Sequence, residues 1–169
     1  MNATTTISAF ATVSGGVNSA TTSATYTISS NSPIVFEATA LPVTGKPNHR
    51  VFTWGGLPDK MGVVADGTKL GAFLSFTVNI AQAGTYDIKF GSKQYLNRAI
   101  VQLSVNGSNV GAPIDEYDPN PKAKFAELDA GTLTFNAAGN YTFVLTAVGK
   151  NAASSNYTVD TDYFKLTPQ

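Results

Sequence analysis

From Leu70 onward, apolar and polar residues alternate with a period of two. Leu74, Phe76, Val78 and Ile80 fall on one side, Ala83-Gly84 makes a turn, and Tyr86, Ile88 and Phe90 resume the pattern. That period predicts strands with one buried face. The segment Ala99 to Val105 places Val101, Leu103 and Val105 on one side, with Gln102 and Ser104 facing away, and runs into Asn106-Gly107, a strong short-range hairpin signal. Phe125 to Leu128, Gly131 to Phe135 and Tyr141 to Val148 add further strands. The segments LSFTVNIAQAGTYDIKF and LTFNAAGNYTFVL echo one another in alternation, in an Ala-Gly turn and in the Tyr just beyond it, which predicts two similar corners of one sandwich.

The first half is less regular. Residues 1–32 are small, hydroxylated and apolar, and read as a linker or as an edge strand through Ala24-Tyr26-Ile28 or Ile7-Ala9-Ala11, paired in cis or on a neighbouring subunit. Ile34 to Ala40 predicts a buried strand between Pro33 and Pro42. Residues 41–72 carry the only His (His49) and the only Trp (Trp54) amid many Gly and Pro, and predict a long irregular loop. A second loop is predicted over GAPIDEYDPNPKAK. No segment holds a helical period, so the expected fold is all-β: about eight to ten short strands in two packed antiparallel sheets. The expected division is 1–32 and 33–169.

The last stretch, Gly149 to Pro168, begins as a polar loop and becomes a strand in which Asp162, Phe164 and Leu166 share one face. A carboxylate in line with core residues needs a compensating partner. Glu37, inside IVFEATA, is a second carboxylate embedded in an apolar run.

Composition narrows the function. The formal net charge is zero and 13% of residues are charged, which supplies no basic patch for nucleic acid or an anionic membrane. There is no Cys, so thiolate metal sites, a cysteine nucleophile and disulfides are excluded. No run approaches the roughly 18 to 20 apolar residues of a membrane span, and the first residues lack a signal-peptide pattern. The richness in Ser, Thr, Asn, Gly and Ala points to an extracellular bacterial β-domain.

Taken in order, FEA at Phe36 to Ala38, HRVF at His49 to Phe52, LSFTVNIAQAGTYDIKF, VQLSVNG, LDAGTLTFNAAGNYTFVLTAVGKNAASS and DTDYFKLTP resemble the carbohydrate-binding modules of families 6 and 35. The resemblance spans about residues 34–168. It implies a galactose-binding-like jelly roll that binds polysaccharide or oligosaccharide without catalysis, attached to other domains of a secreted polysaccharide-active enzyme. It also implies a structural calcium joining Glu37 to Asp162, with oxygen-only ligands suited to that ion. The family usually carries a second acidic residue two positions after Glu37, where this chain has Thr39. Backbone N–H groups or an Arg or Lys would hold the two carboxylates equally well.

Sugar recognition calls for aromatic faces beside planar polar side chains. The loops offer His49, Arg50 and Trp54; Tyr95, Asn97 and Arg98; Asp115, Glu116, Tyr117 and Asp118; and Lys150 with Asn151, while Gln102 presents an amide on a non-core face. Each has a structural alternative. Trp54 could plug the sandwich end, His49 and Arg50 could pair with Asp115 or Asp118, Gln102 could be merely solvated, and Asn151 could serve a turn. Catalysis has weaker support: no triad or phosphate loop is spaced out, and only Asp115, Glu116 and Asp118 could imitate a glycosidase carboxylate pair. The other function class is a self-assembling extracellular module in which residues 1–32 add a strand to a neighbouring copy.

Overall fold

Alternation along the chain translates directly into strands whose buried side chains meet in the middle of a two-sheet sandwich. The computed structural model describes the backbone of residues 3–28, 31–54 and 57–169, and the side chains of those ranges except at 3, 27, 28, 54 and 57–60. The chain divides into two units, Met1–Ser32 and Pro33–Gln169.

In the first unit, β1 (Ala3–Ala9) and β2 (Thr22–Ile28) form an antiparallel hairpin. The two stretches offered as alternative edge strands pair with each other: β1 takes in Ile7 and Ala9 but not Ala11, and β2 takes in Ala24, Tyr26 and Ile28. The density of β-branched Thr favours this outcome. Thr6 and Thr25 hydroxyls bond across one face at 3.1 Å, as do those of Ser8 and Ser23 at 2.8 Å. Ile7 stands on the other face opposite Ala24, and Ile7 and Tyr26 are exposed.

The second unit carries β3 (Ile34–Glu37), a 3-10 turn (Ala38–Ala40), β4 (Val43–Lys46), β5 (Arg50–Trp54), β6 (Leu57–Ala65), β7 (Phe73–Ile80) and β8 (Gly84–Gln94). It continues with β9 (Ile100–Val105), β10 (Ser108–Asp115), β11 (Lys124–Phe135), β12 (Gly139–Gly149), β13 (Val159–Thr161) and β14 (Tyr163–Pro168). One main sheet has the order β10-β9-β12-β7-β4 and the other β11-β8-β14-β3, while β13-β6-β5 forms a smaller third sheet. All strand pairs within these sheets are antiparallel.

The core lies between the two main sheets. Leu74, Phe76 and Val78 of β7, Ile88 and Phe90 of β8, Phe143 and Leu145 of β12, and Phe164 and Leu166 of β14 are all buried. Phe164 packs edge-on against Phe76 and Phe143 of the opposite sheet, each with ring centroids 5.3 Å apart. Burying one such side chain contributes about 1.5–3 kcal/mol. The internal echo is structural as well: Tyr86 donates its hydroxyl proton to the Gln82 carbonyl at 3.0 Å, and Tyr141 donates to the Ala137 carbonyl at 2.8 Å. Asn106 and Gly107 both take positive φ, as the expected hairpin turn demands.

Four expectations are corrected. Residues 41–72 contain β4, β5 and β6, because Val, Phe and Thr between the Gly and Pro residues still make strands where a sheet can receive them. The loop expected from Gly111 starts only after Asp115. Gly111, at φ 60, lies in an irregular stretch of β10 where the register shifts between Val110 and Ile114. Phe125 to Leu128 and Gly131 to Phe135 are one strand, kinked by a register shift between Asp129 and Gly131. The first strand stops at Glu37, and as a sheet edge it leaves Ile34 and Val35 exposed rather than buried.

Candidate functional site

At one end of the sandwich, three connecting segments lock together through their backbones. Tyr95 N donates to Glu116 O at 3.3 Å, Asp118 N to Tyr95 O at 3.3 Å and Glu116 N to Ala99 O at 3.1 Å. On the other side Ala99 N donates to Thr158 O at 3.1 Å, Thr158 N to Asn97 O at 3.2 Å and Ser155 N to Leu96 O at 3.0 Å. The loop after β8 is thereby clamped between the end of β10 and the segment leading into β13. Loop residues tied this way are held as firmly as strand residues.

Beside the clamp is a cleft of about 130 Å³. Arg50, Phe52, Val64 and Asp66 of the β5–β6 region line one wall, and Lys93, Tyr95, Asn97 and Arg98 line the other. The Lys93 ammonium sits 5.1 Å from the Tyr95 ring centroid, and Arg50 Nε donates to Asp66 Oδ2 at 2.7 Å. Burial, followed by the Arg98 guanidinium, holds the Lys93 ammonium below its usual range. The cleft thus combines a tyrosine ring with guanidinium, amide, ammonium and carboxylate groups, the mixture that binds vicinal hydroxyls.

Arg98 is the fixed point of that wall. It is 4% exposed, its Nε donates to Lys93 O at 2.7 Å, an NH donates to Asn97 Oδ1 at 2.7 Å, and the other NH2 pairs with Asp160. Asp160, fully buried on β13, also accepts from Ser92 Oγ at 2.8 Å and Lys93 N at 3.1 Å. The ion pair is therefore buried and fully satisfied, a rigid support rather than a surface contact.

Of the residues proposed from sequence, Arg50, Tyr95, Asn97 and Arg98 come together in the cleft. Asp115, Tyr117 and Asn151 form an adjoining cluster. Asp115 Oδ1 accepts from Tyr117 N at 3.0 Å and Oδ2 from Asn151 Nδ2 at 2.9 Å, while Tyr117 bridges Tyr95 by backbone pairing. Arg50 pairs with Asp66, not with Asp115 or Asp118, because β5 and β6 are hairpin neighbours. His49 stands apart, half-buried in a separate depression with Val43, Thr44 and Asn48. Lys150 Nζ donates to the Ser154 carbonyl and lies 5.7 Å from the Tyr157 ring, so it braces its own loop.

Gln102 is buried, and its amide donates to the Leu103 and Val110 carbonyls at 2.8 and 2.9 Å. It ties β9 to β10 and is not a solvated platform. The Trp54 side chain lies outside the described residues. Of the acidic trio, Asp115 is engaged by Asn151, Glu116 is fully buried, and Asp118 accepts from Asn120 N at 2.8 Å. None of the three lines the cleft.

Glu37 and Asp162 lie near one another in the register of paired strands, with Tyr163 opposite Glu37 and Ala38 N donating to Asp162 O at 2.8 Å. Asp162 is 2% exposed, whereas Glu37 is exposed. Among the described residues, no group of three or more His, Cys, Asp or Glu could hold a metal ion. Carboxylates are the oxygen donors calcium takes.

No family model and no curated protein matches the chain. Solved structures do. The chain is similar to a Paenibacillus xanthan lyase, with 28% identity and a TM-score of 0.72 over 88% of this chain and 15% of that one. A family 35 carbohydrate-binding module from Clostridium thermocellum matches over 82% of this chain and 99% of its own length, with 19% identity and a TM-score of 0.54. The fold is that of a family 6/35-type carbohydrate-binding module. A further module of this fold, CBM36-1 of a multidomain xylanase from the hindgut metagenome of Trinervitermes trinervoides, matches over 82% of this chain and 98% of its own, with 19% identity and a TM-score of 0.54. The chain spans about a seventh of the xanthan lyase, and nearly the whole of each isolated module.

The cleft also includes residues that sequence reasoning missed: Phe52, Val64, Asp66 and Lys93 as lining, and Ser92 and Asp160 as support. One signal was available. The period that singled out Asp162 applies equally to Asp160, two positions earlier in VDTDYF.

Proposed function

We propose that this chain is a non-catalytic carbohydrate-binding module whose ligand enters the cleft between the β5–β6 hairpin and the loop after β8. The observation that carries this reading is the convergence of Tyr95, Asn97, Arg98 and Arg50, from separate stretches of sequence, on one rigidly braced cleft. The Tyr95 ring supplies an apolar face for a sugar, and the planar amide and guanidinium groups supply paired hydrogen bonds. The module fold of the structural neighbours supports the same reading.

The parent is a secreted bacterial polysaccharide-active enzyme, in which a single weak site acts by raising the local concentration of catalytic domain on its substrate. Neighbours embedded in longer chains, a xanthan lyase and a Podospora anserina β-(1,4)-mannanase, support this placement. Glu37 and Asp162 would hold a calcium ion, which would tie the first sandwich strand to the last.

Affinity gel electrophoresis across a panel including xanthan, mannan, xylan and galactan, run with calcium and with a chelator, tests the proposal. Wild type is retarded by at least one polysaccharide, and Tyr95→Ala loses that retardation while its Tm stays within a few degrees, the chelator lowering Tm more than affinity. Retardation of the Tyr95 variant equal to wild type would remove the cleft from consideration. A second reading, assembly through the first unit, is favoured by the exposed Ile7, Phe10 and Tyr26 of an uncharged segment.

A further inference from the structure

Beneath the cleft lies a group that its lining does not use. Glu116 is 0% exposed, and neither of its carboxyl oxygens has a hydrogen-bond partner. The charged groups that face it are Asp160, Arg98 and Asp115, with the Ser92 hydroxyl alongside. Each is already committed. Ser92 gives its proton to Asp160, Arg98 is paired with Asp160, and Asp115 accepts from Tyr117 and Asn151. A third carboxylate here would be a buried charge beside two others, with one guanidinium already engaged. Burial first, and Asp160 next, therefore hold the Glu116 carboxyl well above the usual range.

A buried carboxyl with no partner at either oxygen is far less costly as a neutral acid than as a carboxylate. We infer that Glu116 is carried as a neutral acid and is a positioning residue for the cleft: uncharged, it leaves Asp160 as the carboxylate that holds the Arg98 guanidinium in place. This rests on the cleft being the sugar site. Ionised Glu116 competes with Asp160 for the same guanidinium and draws Arg98 from the Lys93 carbonyl and Asn97, so sugar affinity falls as the proton leaves.

The sign follows from linkage. The folded state keeps a proton that the unfolded chain releases near pH 4.3. Stability from this group is thus fully present below that pH and declines as pH rises toward the folded value. Glu116→Gln keeps the shape and the neutrality without the titration. Tm, denaturant unfolding and glycan retardation are measured from pH 4 to 9 for both proteins. Relative to the Gln variant, the wild-type unfolding constant should rise by up to about tenfold per pH unit above about 4.3, until Glu116 ionises in the folded state. Wild-type affinity should fall over the upper part of the range while that of the variant does not.

A merely structural role shifts both stability profiles in parallel, and parallel profiles overturn the inference. So does a calcium-dependent rise in wild-type Tm that Glu116→Gln abolishes. If the variant fails to fold, the ¹³C carboxyl shift of Glu116 in wild type decides: no ionisation between pH 4 and 7 supports the neutral acid, and a carboxylate shift at pH 5 overturns it. The stability arm needs no ligand, so diverging profiles without retardation by any glycan overturn the binding reading and leave the proton in place.

Discussion

Two ion pairs in the cleft look alike in sequence and differ in weight. Arg50–Asp66 has both side chains more than half exposed, whereas Arg98 and Asp160 are 5% and 0% exposed as side chains. Water screens the first, so Asp66→Ala should cost no more than about 1 kcal/mol. Asp160→Ala strands a buried guanidinium and should cost about 3–5 kcal/mol. Urea denaturation of the two variants measures the contrast, and equal losses would contradict the assignment of Arg98 as the fixed point. His49, Gln102 and Lys150 show why residue type alone is a poor guide. Each has sugar-binding chemistry, but Gln102 and Lys150 spend theirs on backbone carbonyls and His49 faces another depression.

At the scale of elements, the irregular glycines decide how the two main sheets come together at one edge. A Cβ at Gly111 would lie 2.1 Å from the Ala130 carbonyl oxygen, and the residue sits at φ 60. Backbone of β10 thus rests directly on backbone of β11, which belongs to the opposite sheet. Gly111→Ala should destabilise by about 3 kcal/mol through contact and strain together. Chemical denaturation reads the loss, and a change below 1 kcal/mol would mean that the edge relaxes. The smaller sheet has a different task. Its β13 carries Asp160 opposite Val64 of β6, which carries the second wall of the cleft toward the first.

For the whole molecule, the core cluster is drawn entirely from residues between Ala38 and Leu166. Among the described residues, none of the first unit is in that cluster, and an isolated two-stranded ribbon is marginal in water. A protein of residues 33–169 should therefore melt within a few degrees of the full chain and retain glycan binding. Scanning calorimetry and affinity electrophoresis test this together. Sedimentation of both proteins then separates the readings of the first unit, because loss of a higher-order species on truncation would favour assembly.

The sequence alone determined the all-β class, the strands from β7 to β9 and around β12, the Asn106-Gly107 hairpin and the two Tyr corners. These are local: a period of two, a turn that needs positive φ and a Tyr near an Ala-Gly turn are written in consecutive residues. It also nominated Arg50, Tyr95, Asn97 and Arg98, since loop residues with the right chemistry are few. Only tertiary structure decided which of them share a cleft, that Asp160 rather than Asp162 anchors the wall, and that residues 41–72 fold as strands. Those outcomes depend on partners distant in sequence, Val64 beside Asp160 and Ser92 beside Glu116. A side chain's role as ligand contact, brace or buried acid is set by what lies across from it, not by its neighbours in the chain.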